Sequence, residues 1–256
     1  MELKSLLNVA KTAAENAAVE ILKIYESGDF SIESKADDSP LTLADKASHN
    51  AIVAELEKTD LPILSEEGKS VPFEVRKNWD VFWMIDPLDG TKEFIKKNGE
   101  FTVNIALIKN GKSIMGVVQV PVTGKLYYSL VGDGAFVEEP NKKTELNVNS
   151  KSISEKGIKV VASRSHLNDD TQAFMDELNE PEIVSMGSSL KLLAVAEGTA
   201  DLYPRYAPTM EWDTAAAQAI VEEAGGTVKI KDNESDVHYN KEDLLNPHFL
   251  VSGKIK

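Results

Sequence analysis

The chain has 256 residues, long enough for one large domain or two closely packed ones, and its 42% hydrophobic and 27% charged residues are those of an ordinary globular protein. Acids outnumber bases by 42 to 28 for a formal charge of −14, which argues against nucleic acid polymers and anionic membranes as partners and requires local charge inversion, most simply by bound cations, at any anion site. The absence of cysteine excludes disulfides, zinc-thiolate sites and thiol nucleophiles, and with no apolar signal core in MELKSLLNVAKTAAEN and no run near 18 apolar residues, neither a signal peptide nor a membrane span is expected.

Residues 2–26 place Leu3, Leu6, Leu7, Ala10, Ala14, Ala18, Ile21, Leu22 and Tyr25 on one face with Lys and Glu opposite, predicting an amphipathic helix ended at Gly28. A segment with Ile32 and Lys35 leads through the polar loop 36–40 to a second helical stretch, 41–58. Thr42 and Asp45 open it with the spacing of a capping box, a structural role for Asp45. Pro62-Ile63-Leu64 reads as a short strand delivering Ser65-Glu66-Glu67-Gly68, in isolation an acidic turn. Trp83-Met84-Ile85 reads as the end of a buried strand, stopped by Asp86-Pro87 because proline cannot donate to a sheet ladder. Residues 101–108, 113–120, 125–131 and 134–139 are apolar, β-branched and separated by glycine-containing turns, which predicts an antiparallel meander. The polar run 139–144 marks a boundary between halves, 1–143 and 144–256, with the site between them. Strands at 158–162, 183–186, 200–203, 227–230 and 249–251 then alternate with helices at 169–178, 188–197 and 212–224. This order predicts an α+β architecture of layered helices and sheets, neither a bundle nor a sandwich of sheets.

Residues 83–94, WMIDPLDGTKEF, carry the chemistry. Asp86 stands at a strand tip, Asp89 follows three residues later, and Gly90-Thr91 permits a tight turn whose N–H groups and hydroxyl point back at both acids. Carboxylates suit a hard cation and donors at a helix start suit a phosphate, although the same residues also make an ordinary strand-turn-helix junction. The acids lack the alternation and the closing glutamate of an EF-hand loop. Glu66, beyond one strand, and Asp213, just inside the helix 212–224, would complete four carboxylates on element tips around one cleft. Hard donors without a soft ligand suit Mg²⁺, and two such cations about 4 Å apart can polarise a phosphoryl oxygen and activate water. That chemistry is metal-assisted phosphate hydrolysis.

Glu66-Glu67-Gly68, Asp86-Pro87-Leu88-Asp89-Gly90-Thr91 and Trp212-Asp213-Thr214-Ala215-Ala216 together resemble the three signature blocks of the inositol monophosphatase superfamily, the lithium-sensitive Mg²⁺-dependent phosphatases. The resemblance spans essentially the whole chain. Within that superfamily SKADDSPLTLAD, LSEEG, DPLDGTKEFIKKNGEFTVNIALI, SRSH, GSSLKLLAVAEG and LYPRYAPTMEWDTAA resemble the bacterial 3′(2′),5′-bisphosphate nucleotidase branch. The resemblance implies the layered α-β-α-β-α sandwich shared with fructose-1,6-bisphosphatase and two or three Mg²⁺ per site. It implies that Glu66, Asp86, the Leu88 carbonyl, Asp89 and Asp213 hold the metals, with Asp86 bridging. Thr91 and Asp45, with Glu66, would orient and deprotonate the attacking water, a role that need not exclude the cap.

For the substrate, the resemblance implies a phosphate cradle at Gly90 and Thr91, contacts from Asp213, Ser188 and Lys191, and His166 beside adenine; a histidine in such a polar turn can equally be only solvated. Arg205 stands near where the inositol-specific branch has a carboxylate for sugar hydroxyls, and a cation there favours a second anionic group. Ala217 departs from the glycine usual after the Trp-Asp block. The implied reaction removes the 3′-phosphate of 3′-phosphoadenosine 5′-phosphate, with its sulfated relative as a related substrate, in the cytoplasm. Monomer or homodimer, and peripheral contact with the inner membrane, stay open. So do two rivals: an inositol or sugar phosphatase on the same scaffold, and a silent protein that binds metal or nucleotide.

Overall fold

The computed structural model describes residues 2–28, 30, 33–34, 40–162 and 168–255; Ile32, Lys35, the loop residues 36–39 and His166 lie outside them. Helix α1 (Leu3–Ser27) closes on Gly28, whose φ of 74° lets its N–H reach the Ile24 carbonyl. Its buried stripe is mostly alanine: Ala10, Ala13, Ala14, Ala17 and Ala18 between Leu6 and Ile21. Leu3, expected on that face, is 38% exposed. Small side chains let the neighbouring helix sit close, so the longer leucines fall to the flanks. A two-residue ribbon, β1 (Glu33–Ser34) with β2 (Pro40–Leu41), precedes α2 (Leu43–Leu56).

The chain then lays down β3 (Ile63–Ser65), α3 (Phe73–Arg76), β4 (Val81–Asp89) and α4 (Thr91–Ile95). The predicted meander follows as β5 (Thr102–Lys109), β6 (Lys112–Val120), β7 (Lys125–Leu130), β8 (Gly134–Glu139) and β9 (Lys142–Glu145). Strands β3 to β9 form one seven-stranded sheet in sequence order, parallel only at β3/β4. The polar run 139–144 lies in its last hairpin. Strand β4 does not stop at Asp86-Pro87 as expected. Asp86 pairs with Asn104, the register shifts, and Asp89 pairs again with Thr102. Pro87 is tolerated because it lies in the irregular step, where no ladder donor is required.

Beyond β10 (Ser150–Lys151) come β11 (Lys159–Val161), α5 (Asp169–Asp176), β12 (Glu182–Val184), α6 (Leu190–Ala196), β13 (Leu202–Arg205) and α7 (Glu211–Glu223). The chain ends with β14 (Thr227–Ile230), β15 (Phe249–Ser252) and β16 (Lys254–Ile255). A five-stranded sheet has the order β12-β11-β13-β15-β14, and β10 pairs with β16. Strand alternation sorts the large sheet into two cores. Trp83, Ile85, Ile105 and Val117 pack on α1 and α2. Phe82, Met84, Ala106 and Val118 pack on α6 and α7, which also meet Tyr203, Val228, Phe249 and Val251 of the smaller sheet. Helix α5 covers that sheet's other face through Met175, against Ile158, Val160 and Leu202. The layers are therefore α-β-α-β-α, as expected. Among the described residues no helix is long and apolar enough to cross a membrane.

Helix α7 is seated by Gly116 of β6, where a Cβ would lie 2.0 Å from the Ala216 carbonyl oxygen, and by Ser113, whose Oγ donates to the Ala215 carbonyl at 2.7 Å. Ala217 is fully buried, so the close approach comes from a glycine on the sheet side. Gly116→Ala should lower stability by at least about 2 kcal/mol, the cost of overpacking against rigid backbone. Urea unfolding checks this, and an unchanged midpoint would contradict the close seating of α7.

Candidate active site

Three of the expected acids converge from just past β3, from within β4 and from the first turn of α7: Glu66, Asp86 and Asp213 each offer a carboxylate oxygen within 4.8 Å of the others. Asp86 is 1% exposed. Its carboxyl is pushed well above the usual range by burial, then by the charges of Glu66, Asp89 and Asp213. Burial and the Asp89 charge likewise push Asp213 up to about 8, although Asp213 accepts the Met210 N–H at 2.9 Å in the first turn of α7. Oxygen donors held this close fit a hard cation, which would take the place of the protons that Asp86 and Asp213 otherwise retain.

The Leu88 N–H donates to Asp86 Oδ1 at 3.0 Å, folding residues 86–88 into a tight turn. Gly90 follows with φ 94°, and Glu100 O, Ser188 Cβ and Glu93 Oε2 leave little room for a side chain there. The capping box forms: Thr42 Oγ1 accepts the Asp45 N–H, and the Asp45 Oδ2 accepts the Thr42 N–H at 2.7 Å. Its other oxygen accepts from Thr91 Oγ1 at 3.3 Å. Cap and site contact therefore coexist in one buried carboxylate.

Helix α2 contributes two more groups that the sequence reading missed. Ser48 Oγ donates to the Pro87 carbonyl at 2.6 Å, and His49 Nδ1 shares a 2.9 Å hydrogen bond with Ser65 Oγ, next to Glu66. Together with Asp45 they stand at i, i+3 and i+4 on one helix face. That spacing of polar residues was the available signal. Ser188 lies before α6, not within it, with φ 52°. Its Oγ and that of Ser189 both donate to Asp89 Oδ2 at 2.7 Å.

Beside the acids opens a cleft of about 310 Å³ bordered by Glu93, Glu100, Gly187, Lys191, Tyr203 and Arg205. A recess of about 50 Å³ containing Asp89, Ser188 and Asp213 shares Lys191, Tyr203 and Arg205 with it. Burial holds the Lys191 ammonium below its usual range against the favourable charge of Asp89, and Arg205 adds repulsion. Arg205 is fixed by the turn after β13, donating through Nε to Thr209 Oγ1 and through Nη2 to the Pro208 carbonyl at 2.9 Å. Lys191 and Arg205 thus stand between the recess that holds Asp89 and Asp213 and the wider cleft beside it.

The chain matches the inositol monophosphatase family over residues 2–254. The 3′(2′),5′-bisphosphate nucleotidase CysQ of Salmonella typhimurium is 44% identical over 242 residues, spanning 93% of this chain and 96% of that protein. CysQ of Escherichia coli strain K12 matches to the same extent, 44% over 242 residues with 93% and 96% covered. The crystal structure of CysQ from Bacteroides thetaiotaomicron, a bacterial member of the inositol monophosphatase family, superimposes with a TM-score of 0.88 at 45% identity over 99% of both chains. Signature blocks, layered fold and whole-length similarity agree: this chain belongs to the inositol monophosphatase family.

Proposed function

We propose that the protein is a Mg²⁺-dependent 3′(2′),5′-bisphosphate nucleotidase that hydrolyses the 3′-phosphate of 3′-phosphoadenosine 5′-phosphate to give AMP and phosphate. The observation that carries this is the joining of an acid cluster to a cleft with two cations, through the shared Lys191, Tyr203 and Arg205. In this reading residues 1–143 supply Glu66, Asp86, the Leu88 carbonyl and Asp89, and residues 144–256 supply Asp213, to hold two or three Mg²⁺. When bound, the cations act as Lewis acids toward the phosphoryl oxygens and lower the pKa of water. The backbone N–H groups of Gly90 and Thr91 receive the scissile phosphate at the start of α4. The Thr91 hydroxyl already donates to Asp45. It can therefore accept a hydrogen bond from the attacking water and relay proton character to that carboxylate, while Glu66 faces the same water. Lys191 and Arg205, where the recess meets the wider cleft, bind the 5′-phosphate. His166, outside the described residues, is assigned to the adenine.

Phosphate release from 3′-phosphoadenosine 5′-phosphate should require Mg²⁺, stop with chelator, fall with Li⁺ and exceed release from inositol 1-phosphate. Preference for the inositol ester would overturn the nucleotide assignment. Asp86→Asn should retain the fold and lose about 10³-fold or more in kcat/KM, since several kcal/mol of metal stabilisation are removed. Near wild-type turnover at saturating Mg²⁺ would refute the metal role. Arg205→Glu should raise KM for the nucleotide about tenfold or more while leaving inositol 1-phosphate turnover little changed, the loss of a charge-assisted contact.

The raised carboxyls set a pH dependence whose sign is fixed. Asp213 lies near 3.8 when unfolded and at about 8 in the metal-free fold, and Asp86 is raised as well. The folded protein therefore binds more protons than the unfolded chain between these values, and this contribution to stability is lost as pH rises toward 8. Cations replace those protons, so the rise in melting temperature on adding Mg²⁺ should be larger at pH 8 than at pH 6. An equal or smaller rise at pH 8 would contradict a cation at this cluster.

A further inference from the structure

We propose that Ser188 and Ser189, backed by Thr102 and Asn104 of β5, are positioning residues that orient the metal ligand Asp89; this rests on the metal site proposed above. Both hydroxyls donate to the same Asp89 oxygen, Oδ2, at 2.7 Å. A hydroxyl has one proton, so each serine that gives its proton to Asp89 must accept at its lone pairs from elsewhere. Thr102 Oγ1 lies 2.6 Å from Ser188 Oγ, and Asn104 Nδ2 donates to Ser189 Oγ at 2.8 Å. The competing acceptors are weaker: Thr102 reaches Asn104 Oδ1 only at 3.3 Å, and Ser189 has the neutral Asp213 carbonyl at 2.9 Å against a carboxylate at 2.7 Å. The direction of both relays is thereby set, from Thr102 through Ser188 and from Asn104 through Ser189. All four side chains are at most 8% exposed, so bulk water has little access to the relays.

The consequence is a carboxylate with one oxygen filled and the other left to the cation, in a single orientation. Outer contacts of this kind fix a ligand's geometry before the metal arrives. The serines are themselves held. The Gly187 N–H donates to Glu100 Oε2 at 2.8 Å, and a side chain at Gly187 would meet Glu93 Cγ at 2.9 Å and Glu100 O at 3.0 Å. Ser188 keeps its left-handed φ of 52° between these constraints, as a non-glycine residue does only where its surroundings impose it. Lys191 follows in the first turn of α6, so one anchored segment serves both the metal ligand and a cation of the nucleotide cleft.

The test is Mn²⁺ titration of metal-free wild-type protein, Ser188→Ala and Ser189→Ala, read from the free-ion EPR signal, with melting of the metal-free proteins in parallel. Ser188→Ala is the cleaner variant because Thr102 retains Asn104 Oδ1 as an acceptor. Each variant should bind Mn²⁺ about tenfold more weakly or worse, the usual range for a lost outer contact, with Ser188→Ala melting near the wild-type temperature. Unchanged Mn²⁺ affinity overturns the assignment, whether the variant is merely destabilised, as for a structural serine, or has only a raised KM for nucleotide, as for a direct substrate contact. A wild-type protein that takes up no Mn²⁺ would overturn the metal site itself, and this assignment with it.

Discussion

Asp86 is almost wholly withdrawn from water among the carboxyls of Glu66, Asp89 and Asp213, and the remainder of the structure is arranged around tolerating that. A buried ionised group costs several kcal/mol even after relaxation, and like charges around it add to the cost. Two states relieve the strain: Asp86 and Asp213 keep protons, or a multivalent cation sits between the acids. The fold favours neither by collapsing onto the cluster. It holds the acids on three rigid elements, with outer hydrogen bonds to Asp86, Asp89 and Asp213, so that their separation survives the repulsion between them.

The layers supply that rigidity. Asp86 and Asp89 belong to the large sheet and Glu66 follows the strand paired parallel to β4, whereas Asp213 arrives from a helix wedged between the two sheets. The relative position of these groups is therefore only as good as the seating of α7. Gly116 brings the helix backbone against β6, and Ser113 ties its first turns to the strand start. The buried Glu211, two residues ahead of Asp213, accepts Lys241 Nζ at 2.5 Å and the Asn240 N–H at 2.6 Å, fixing the approach to the helix start. Packing far from the chemistry thus becomes ligand geometry.

What was readable in the sequence was local. The capping box at Thr42 and Asp45, the meander with its glycine turns and the Asp-Pro-Leu-Asp-Gly-Thr turn each lie within a few residues, and short-range stereochemistry decides them. The run of β4 past Pro87 was not readable, because it depends on Asp89 finding Thr102 across the sheet. Periodicity places Ala10, Ala14 and Ala18 of the α1 stripe but also Leu3, which is exposed, since it gives a face but not how near the neighbouring helix will lie. Ser189 and Asn104 stand 85 positions apart in the chain, and only the tertiary fold shows that one hydroxyl joins them to Asp89. Polar groups that meet across layers leave little trace in spacing.

Sign rather than shape separates the candidate substrates. A phosphate monoester of a neutral polyol needs one anion site, which the acids and their cations already provide, and its hydroxyls are best met by carboxylates or amides. Lys191 would then rest on the charges of Asp89, Glu93 and Asp213 against its own burial and the repulsion of Arg205, a costly arrangement for an ammonium already held below its usual range. A second phosphate beside Lys191 and Arg205 removes the cost and gives both cations a partner. Arg205 is pre-oriented for this by Thr209 and Pro208, so little ordering remains when the anion arrives. The chain's overall negative charge sharpens the discrimination: an anion gains most where bound cations and the two basic groups invert the local field, and a bisphosphate can use both.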